Sequence, residues 1–351
     1  MKKLRVGVVF GGRSGEHEVS KLSGQNVTGA LEEAGFSVVP IFIDKKGRWS
    51  VDKGEVALLP TPGRGLHYIA TQKSITVDIF FPVLHGPYGE DGTIQGLFEM
   101  AGVPYVGAGV LGSAIGMDKE AQKLLYLFHG IPTPQFEVVR LHEWHEDREK
   151  IERVAIARVG LPCFVKPANL GSSVGVTKVK KAERLRRAIE EAFQYDTKIL
   201  VEESIRGREV FCGVIGNEEP RVSLPGEVIP HREFYDYFAK YVSDKTELKV
   251  PIPLSRNLHG KVMEFAAAVY RVTFGEGYAR VDFFLTADED LSVIEINTIP
   301  GFTSHSMFPK AWEASGLPLP ELVKTLVELG LDRYKIRRRL KTTSEEGRLL
   351  E

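Results

Sequence analysis

Strand and helix signals alternate through the first third of the chain, and this alternation limits the folds that the sequence can adopt. Apolar runs at residues 5–10, 36–43, 77–84 and 104–106 have the length of buried strands, and helical patterns begin after residue 15 and cover residues 93–101. Strands separated by helices form parallel sheets, which bind ligands beyond the carboxyl ends of their strands. The glycine-rich loops after Phe10 and Leu84 are therefore expected to lie at a binding site.

The rest of the chain is predicted to form a small α+β middle unit with an antiparallel sheet and a final α+β unit. The middle unit is predicted to have strands at residues 163–168, 174–179 and 198–201 and helices at 142–159 and 181–193; the final unit, strands at 209–215 and 226–229, a helix at 257–272 and a hairpin at 281–297. Pro132 and Pro134 would end a helix that begins near Lys119. The predicted domains are residues 1–120, 121–206 and 207–335, with a charged, solvated tail at 336–351.

Composition is that of an ordinary globular protein. The 351 residues are 43% hydrophobic and 26% charged, and the net charge of −1 favours neither nucleic acid nor a membrane surface as a partner. The first apolar run stops at Gly11, which is too early for a signal peptide or a membrane span. Cys163 and Cys212 lie in apolar runs, so we expect reduced thiols in the core and a cytoplasmic protein.

Oxygen ligands cluster on the predicted hairpin near residue 290. Glu295 and Asn297 are two residues apart and share one face of a strand, and Asp282 on the neighbouring strand could reach the same face. Two carboxylates and an amide suit Mg²⁺ and leave room for phosphate oxygens, which points to phosphoryl transfer. The alternative is an ordinary hairpin with polar residues on its wet face.

Lys166 and the glycine-serine turn that follows it favour a phosphate site. A lysine at the end of an apolar strand is costly to bury unless it meets an anion, and the turn at residues 171–175 offers N–H groups and hydroxyls. The turn differs from a Walker loop because no Gly-Lys-Ser/Thr helix start follows it. A serine-rich hairpin turn without a ligand is the alternative.

Two further stretches could complete a nucleotide site. Glu202, Glu203 and Ile205 follow a strand, where they could hold adenine and ribose or simply form a solvated strand end. The aromatic segment at residues 233–241 could be a lid that excludes water, or a loop packed by its own rings.

The loops of the first unit and the segment after the hairpin offer substrate contacts. Glu16 follows the first strand where a nucleotide fold would hold pyrophosphate, and its carboxylate is better suited to an amine. The polar residues after Phe302 would begin a helix whose N–H groups could hold a carboxylate. His85 and His305 have two interpretations, as functional groups or as hydrogen-bonded structural histidines.

Taken in order, these motifs resemble the D-alanine–D-alanine ligase family of the ATP-grasp superfamily. The resemblance extends from about residue 4 to residue 333. Its motifs are Glu16-His-Glu-x-Ser20, His85-Gly-x-x-Gly-Glu-Asp-Gly92, Met117-Asp-Lys119, Val165-Lys-Pro167 with Gly171-Ser-Ser-Val-Gly175, Glu233-Phe-Tyr-Asp-Tyr237 with Lys240-Tyr241, Arg280-Val-Asp282 and Glu295-x-Asn-Thr-x-Pro-Gly-Phe-Thr303.

The resemblance implies an ATP-grasp fold with a parallel α/β N-terminal domain, a small α+β middle domain and an α+β C-terminal domain. It implies a homodimer that joins two D-alanines through a D-alanyl phosphate for peptidoglycan synthesis, with ATP and two Mg²⁺ ions, or Mn²⁺. It gives metal binding to Asp282, Glu295 and Asn297; ATP binding to Lys119, Lys166, Ser173, Glu202, Glu203, Ile205, Glu209 and Lys240; first-substrate binding to Glu16, His85, Ser172 and Tyr241; oxyanion stabilisation to Arg280 and Gly301; and second-substrate binding to Ser306 and Met307.

Other functions remain open on the residues alone. Another ATP-grasp ligase, such as a glutathione-synthetase-like enzyme, would share the metal and lysine residues but not the pattern of Glu16 and Tyr241. A nucleotide-binding protein without activity would not need every one of these groups. A nicotinamide dehydrogenase is the third alternative, and only the first strand-loop-helix turn supports it. By resemblance, Tyr241 favours a dipeptide product over a D-lactate depsipeptide.

Overall fold

Three β-sheets follow one another along the chain, each with helices packed against it. The structure is a computed structural model that describes residues 3–63, 65–229 and 247–341. The strands are β1 (Arg5–Gly11), β2 (Ser37–Ile43), β3 (Trp49–Val51), β4 (Gly54–Leu58), β5 (Leu66–Tyr68), β6 (Ser74–Ile75), β7 (Ile79–Pro82), β8 (Phe136–Arg140), β9 (Cys163–Pro167), β10 (Thr177–Val179), β11 (Lys198–Glu203), β12 (Arg208–Gly216), β13 (Arg221–Val222), β14 (Gly226–Ile229), β15 (Glu247–Lys249), β16 (Gly277–Leu285) and β17 (Leu291–Asn297).

The helices begin and end at residues that satisfy or terminate the helical backbone. Asp118 and Ser255 cap helices through their side chains, and Gly102 ends a helix in the left-handed conformation. The helices are α1 (His17–Glu33), α2 (Thr93–Ala101), α3 (Val110–Met117), α4 (Lys119–Phe128), α5 (Leu141–Glu146), α6 (Arg148–Val159), α7 (Leu185–Ala192), α8 (Arg256–Val272), α9 (Met307–Ala314) and α10 (Leu319–Arg337), with a 3₁₀ turn at Ala182–Arg184.

The first sheet has the strand order β6-β5-β4-β3-β2-β1-β7. Strands β2 and β7 flank β1 in parallel, as predicted, and the loop after β1 lies at their carboxyl ends. Four short antiparallel strands, which were not predicted, extend this parallel part of the sheet from β2. The predicted strand at residues 104–106 was wrong, since only Tyr105 forms a single bridge, to Phe80.

The other two sheets are antiparallel and stand in the order β10-β9-β11-β8 and β15-β14-β12-β16-β17, with β13 paired to β12. The predicted helix at 142–159 is interrupted because Asp147 leaves the helical conformation and accepts the Lys150 N–H at 3.0 Å. The predicted strand at 174–179 starts only at Thr177, since a turn precedes it. The tail was predicted to begin at residue 336, but helix α10 continues to Arg337.

The hydrophobic cores cross the predicted domain boundaries, which remain a prediction. The core under the first sheet contains Val6 and Ile79 together with Leu326 of α10. The core of the third sheet contains Tyr126 of α4 beside Val281. Segments distant in sequence therefore fix how the loops of the first and third sheets meet.

Both cysteines are buried and free, as predicted. Within the described ranges, no helix has the length and apolar character needed to cross a membrane.

Two glycines of helix α1 provide a matched test of this packing. A methyl group on Gly24 would lie 2.6 Å from Cγ of Phe10, whereas one on Gly29 would meet no atom within 4 Å. Overpacking should make Gly24→Ala lose about 1–3 kcal/mol of unfolding free energy. Gly29→Ala should gain about 0.5–1 kcal/mol, because alanine favours helix. Urea denaturation measures both values, and a stable Gly24→Ala would contradict the close approach of α1 to β1.

Candidate active site

The β16–β17 hairpin brings the predicted metal ligands together. Asp282 lies directly opposite Glu295, with a bulge after Asp282, and Arg280 lies opposite Asn297. The side chains of Asp282 and Glu295 are only 17% and 18% exposed. This burial argues against the alternative of an ordinary hairpin whose polar residues lie on a solvent-exposed face.

A positive side chain accompanies each carboxylate of the hairpin. Arg280 donates from Nε and Nη2 to both oxygens of Asp282, at 2.6 Å each, and Asn297 Nδ2 donates to Asp282 Oδ2 at 2.9 Å. Lys119 Nζ lies 3.3 Å from Glu295 Oε2. Opposed carboxylates repel, so these cations stabilise the pair, and a two-point contact with a guanidinium fixes the orientation of Asp282.

Lys119 connects the hairpin to the loop of the middle sheet. It is the first residue of α4, where its N–H donates to Ala168 O at 3.0 Å and its Nζ donates to Leu170 O at 2.8 Å. The same ammonium group therefore touches the glycine-serine loop and the carboxylate of Glu295.

A buried ion triad stands beside this contact. Glu202 Oε1 lies 2.5 Å from Lys166 Nζ, and its Oε2 lies 2.8 Å from Lys123 Nζ. Burial alone would raise the pKa of Glu202, but the two lysines outweigh it and hold that pKa below its usual range. Burial lowers the pKa of Lys123 to about 8, although Glu202 opposes the shift.

Lys123 was not predicted from the sequence. Its signal was its spacing, because Lys119 and Lys123 are four residues apart and share one face of α4. Lys123 also donates to Thr133 Oγ1 at 2.7 Å. Three lysines and two glutamates thus converge from helix α4, the middle sheet and the third sheet.

The glycine-serine turn bends toward the first sheet. Ser172 and Ser173 have positive φ values of 53° and 57°, a conformation that non-glycine residues seldom adopt and that recurs at functional sites. Ser172 Oγ donates to Glu16 Oε1. The turn therefore joins the Glu16 loop to the lysine cluster.

A second carboxyl group, that of Glu90, lies near Glu16. Glu90 accepts the Gly86 N–H at 2.7 Å, and burial, followed by the nearby Glu16 charge, raises the pKa of Glu90 to about 8. A cation that bound at Glu16 would relieve this repulsion. The site is therefore suited to an ammonium group.

His85 has hydrogen-bond partners on both ring nitrogens. Its Nδ1 lies 3.0 Å from Ile299 O, and its Nε2 lies 2.9 Å from Ser23 Oγ. Burial lowers the pKa of His85 even though Glu16 opposes the shift. These contacts favour the interpretation of a structural histidine. His305 is exposed and contacts Ser304.

The predicted second-substrate contacts lie at the start of α9. Ser306 is the N-cap residue of this helix, and its Oγ accepts the Thr303 N–H at 2.9 Å. A methyl group on Gly301 would lie 2.7 Å from Ser306 Oγ, so a larger residue at this position would force the Ser306 side chain to move. The backbone of Gly301 and the helix start thus form one compact unit.

One cavity joins most of these groups. Predicted residues outside its lining are Glu16, His85, Ile205, Asn297, Gly301 and Ser306, and the predicted Lys240 and Tyr241 lie outside the described residues. The predicted residues that line it are Lys119, Lys166, Ser172, Ser173, Glu202, Glu203, Glu209, Arg280, Asp282, Glu295 and Met307.

The donor set of the hairpin fits a hard cation. In the described part of the chain, no three His, Cys, Asp or Glu side chains form a group that could hold a metal by themselves. The hairpin offers two carboxylates and one amide, and the amide nitrogen of Asn297 donates to Asp282. Such a set suits Mg²⁺ that shares its coordination with phosphate oxygens.

Replacing Lys123 with methionine should destabilise the fold, because Glu202 would keep only one of its two cationic partners. We expect a loss of about 3–5 kcal/mol. The matched Lys335→Met removes a cation from an exposed pair with Asp332 and should cost about 1 kcal/mol or less. Chemical denaturation compares the two variants. Similar small losses would show that Lys166 alone compensates Glu202.

Comparisons with known proteins agree on one family. The model of the D-ala D-ala ligase N-terminus matches residues 5–108, and that of the C-terminus matches residues 125–328. A D-alanine–D-alanine ligase from Halothermothrix orenii is 45% identical over 344 residues, which cover 95% of this chain and 99% of the relative. One from Solibacter usitatus is 46% identical, with coverages of 95% and 97%.

Solved structures give the same result. The D-alanine–D-alanine ligase from Coxiella burnetii has a TM-score of 0.84 at 34% identity, covering 96% of this chain and 98% of that one. The VanG D-Ala:D-Ser ligase from Enterococcus faecalis has the same TM-score and identity, with coverages of 93% and 99%. The predicted ATP-grasp fold is thereby confirmed.

Proposed function

The chain belongs to the D-alanine–D-alanine ligase family, and on this basis we propose how its residues divide the work of the reaction. The protein joins two D-alanines at the expense of ATP and supplies a cell-wall precursor. One observation carries the division of roles. The opposed carboxylates Asp282 and Glu295, with Arg280, Lys119 and Lys166, line a single cavity.

The first step that we propose is phosphoryl transfer. A carboxylate oxygen of the first D-alanine attacks the γ-phosphorus of ATP, the bond to the β–γ bridging oxygen breaks, and ADP leaves. Lys119 and Lys166 bind the phosphates, and Ser173 contributes from the turn. In the described structure both lysines already pair with carboxylates, so phosphate would compete with Glu295 and Glu202 for them.

Asp282, Glu295 and Asn297 would hold two Mg²⁺ ions, or Mn²⁺, which supply charge neutralisation at the phosphates. The residues assigned to the base and the ribose of ATP are Glu202, Glu203, Ile205, Glu209 and Lys240. Glu203 and Glu209 line the cavity, which supports their part of this assignment, and Glu203 also accepts the Gln135 N–H.

The second step is attack of the deprotonated amine of the second D-alanine on the acyl carbon. A tetrahedral oxyanion forms, and it collapses as an amine proton passes to the departing phosphate group, which leaves as inorganic phosphate. Arg280, oriented by Asp282, and the Gly301 N–H stabilise that oxyanion, because fixed donors in a site with little water act strongly on developing charge.

Glu16 holds the ammonium group of the first D-alanine, with support from Ser172 and Tyr241, and His85 lies beside this pocket. Ser306 and the Met307 N–H hold the carboxylate of the second D-alanine at the start of α9. A homodimer and a cytoplasmic location, which the resemblance implied, belong to the same proposal.

Identification of the product tests the proposed specificity. The protein would be incubated with ATP, Mg²⁺ and D-alanine, alone and with D-lactate or D-serine in competition. We expect D-alanyl-D-alanine as the main product, with one ADP and one phosphate per dipeptide. A depsipeptide or a mixed D-Ala–D-Ser product in excess, or activity with L-amino acids only, would contradict the proposal.

Glu295→Gln removes one negative charge from the proposed metal-binding site. We expect turnover to fall by at least about 100-fold while the protein stays folded. Glu289→Gln, in the exposed turn of the same hairpin, is the matched control and should leave turnover unchanged. Steady-state ADP release measures both. Turnover of Glu295→Gln near the wild-type value at limiting Mg²⁺ would refute the metal role.

Ser306→Ala should weaken binding of the second D-alanine, because the hydroxyl fixes the turn that begins α9. We expect KM for that substrate to rise about tenfold, with a smaller effect on the first D-alanine. Ser304→Ala, which changes an exposed hydroxyl of the same turn, is the control. Initial rates over a wide D-alanine range separate the two constants, and an unchanged second constant would remove Ser306 from the site.

A further inference from the structure

The segment of residues 298–302 carries the Gly301 N–H but has no regular secondary structure. An oxyanion donor must be held in place before the charge develops, since a displacement of 1 Å can cost about 100-fold in rate. Contacts from outside the segment must therefore position this N–H group.

One set of contacts comes from Ser23 and His85. Ile299 O is only an acceptor, so Nδ1 of His85 carries the proton and donates to it at 3.0 Å. The Nε2 of the neutral ring then accepts from Ser23 Oγ at 2.9 Å, and Ser23 Oγ accepts the Phe302 N–H at 3.2 Å. These hydrogen bonds therefore hold the backbone on both sides of Gly301, at Ile299 and at Phe302.

The second contact comes from Glu90, for which no role was predicted from the sequence. One oxygen of Glu90 accepts the Gly86 N–H at 2.7 Å and the other accepts the Ile299 N–H at 3.3 Å. Ile299 is thus held at its N–H by Glu90 and at its carbonyl by His85. No other side chain of the described loop at residues 86–92 has a hydrogen bond to residues 298–302.

Glu90 also connects the oxyanion segment to the first-substrate pocket. A methyl group on Gly86 would lie 2.9 Å from Glu16 Oε2, so the backbone that Glu90 holds is packed against the proposed ammonium site. A substitution at Glu90 could therefore change the position of Gly301 through Ile299 and the position of Glu16 through Gly86.

We propose that Glu90 is a positioning residue that holds the Gly301 N–H in place through Ile299, so that its main effect is on the tetrahedral step. This inference rests on the proposed function, because it requires Gly301 to be an oxyanion donor. Glu90 does not touch the reacting atoms in this account.

Glu90→Gln tests the inference. The single amide oxygen of glutamine can keep the shorter bond to Gly86, but its NH₂ group cannot accept the Ile299 N–H. We expect kcat for the dipeptide to fall about 10- to 100-fold, with an unchanged KM for ATP. Isotope exchange in ATP, in which oxygen-18 moves between bridge and non-bridge positions of the β-phosphate, reports reversible formation of D-alanyl phosphate and should persist. Its ratio to dipeptide formation should rise.

Asp91→Asn is the matched control from the same loop. Asp91 accepts hydrogen bonds from the N–H groups of Tyr88 and Thr93 at 2.8 and 2.9 Å, so its contacts lie within its own loop and the adjoining start of α2. It should change neither kcat nor the exchange ratio. Equal losses in Asp91→Asn and Glu90→Gln would overturn the inference in favour of general loop integrity. A loss of exchange in parallel with turnover would place Glu90 in first-substrate binding and would also overturn it.

Ser23→Ala covers the case in which Glu90→Gln does not fold. It removes the contact at Phe302, on the other side of Gly301, and should show the same raised ratio of exchange to product. An unchanged ratio in Ser23→Ala would then overturn the inference. Failure of the proposed function is distinguishable, because the wild-type protein would then form no D-alanyl-D-alanine and show no exchange with D-alanine.

Discussion

The pairing of Asp282 with Glu295 across the β16–β17 hairpin is the interaction on which the site depends. Two opposed and partly buried carboxylates are unfavourable unless positive charge lies beside them. Arg280 supplies it from the same strand, and Lys119 supplies it from α4. Lys119 also donates to Leu170 O, which lies just before the glycine-serine turn. The cation that balances Glu295 therefore also links the middle sheet to the third sheet. The cavity that is proposed to hold ATP is the space between them.

The lysines of this cavity are balanced by carboxylates in the described structure. Lys166 and Lys123 share Glu202, and Lys119 contacts Glu295. Buried ion pairs are often no more stabilising than apolar contacts of the same size, so their presence needs another reason. In the proposed reaction, Lys119 and Lys166 would exchange their carboxylate partners for phosphate, and Glu295 would become free to hold a metal ion. The pairs would thus keep the site ordered in the absence of ATP.

The sequence predicted those features that depend on local pattern. Helix α2 was predicted with its observed ends, since Gly92 and Gly102 bound it, and the hairpin was predicted to end at Asn297, where β17 ends. The ligase family and the ATP-grasp fold were also predicted correctly. Short antiparallel strands after β2 were missed because two to five residues carry too little pattern. Lys123 and Glu90 were missed because their partners are far away in sequence. The predicted metal, nucleotide and substrate roles remain predictions, and Lys240 and Tyr241 lie outside the described residues.

Counting bound Mn²⁺ by electron paramagnetic resonance tests whether the β16–β17 hairpin binds the metal ions, because the signal of free Mn²⁺ disappears on binding. Titration would be done with and without a non-hydrolysable ATP analogue, on the wild-type protein and on Asp282→Asn. We expect two ions per chain that require the nucleotide, and fewer in Asp282→Asn. If the wild-type protein and Asp282→Asn both bound the nucleotide with the same number of Mn²⁺ ions, the hairpin would not be the metal-binding site.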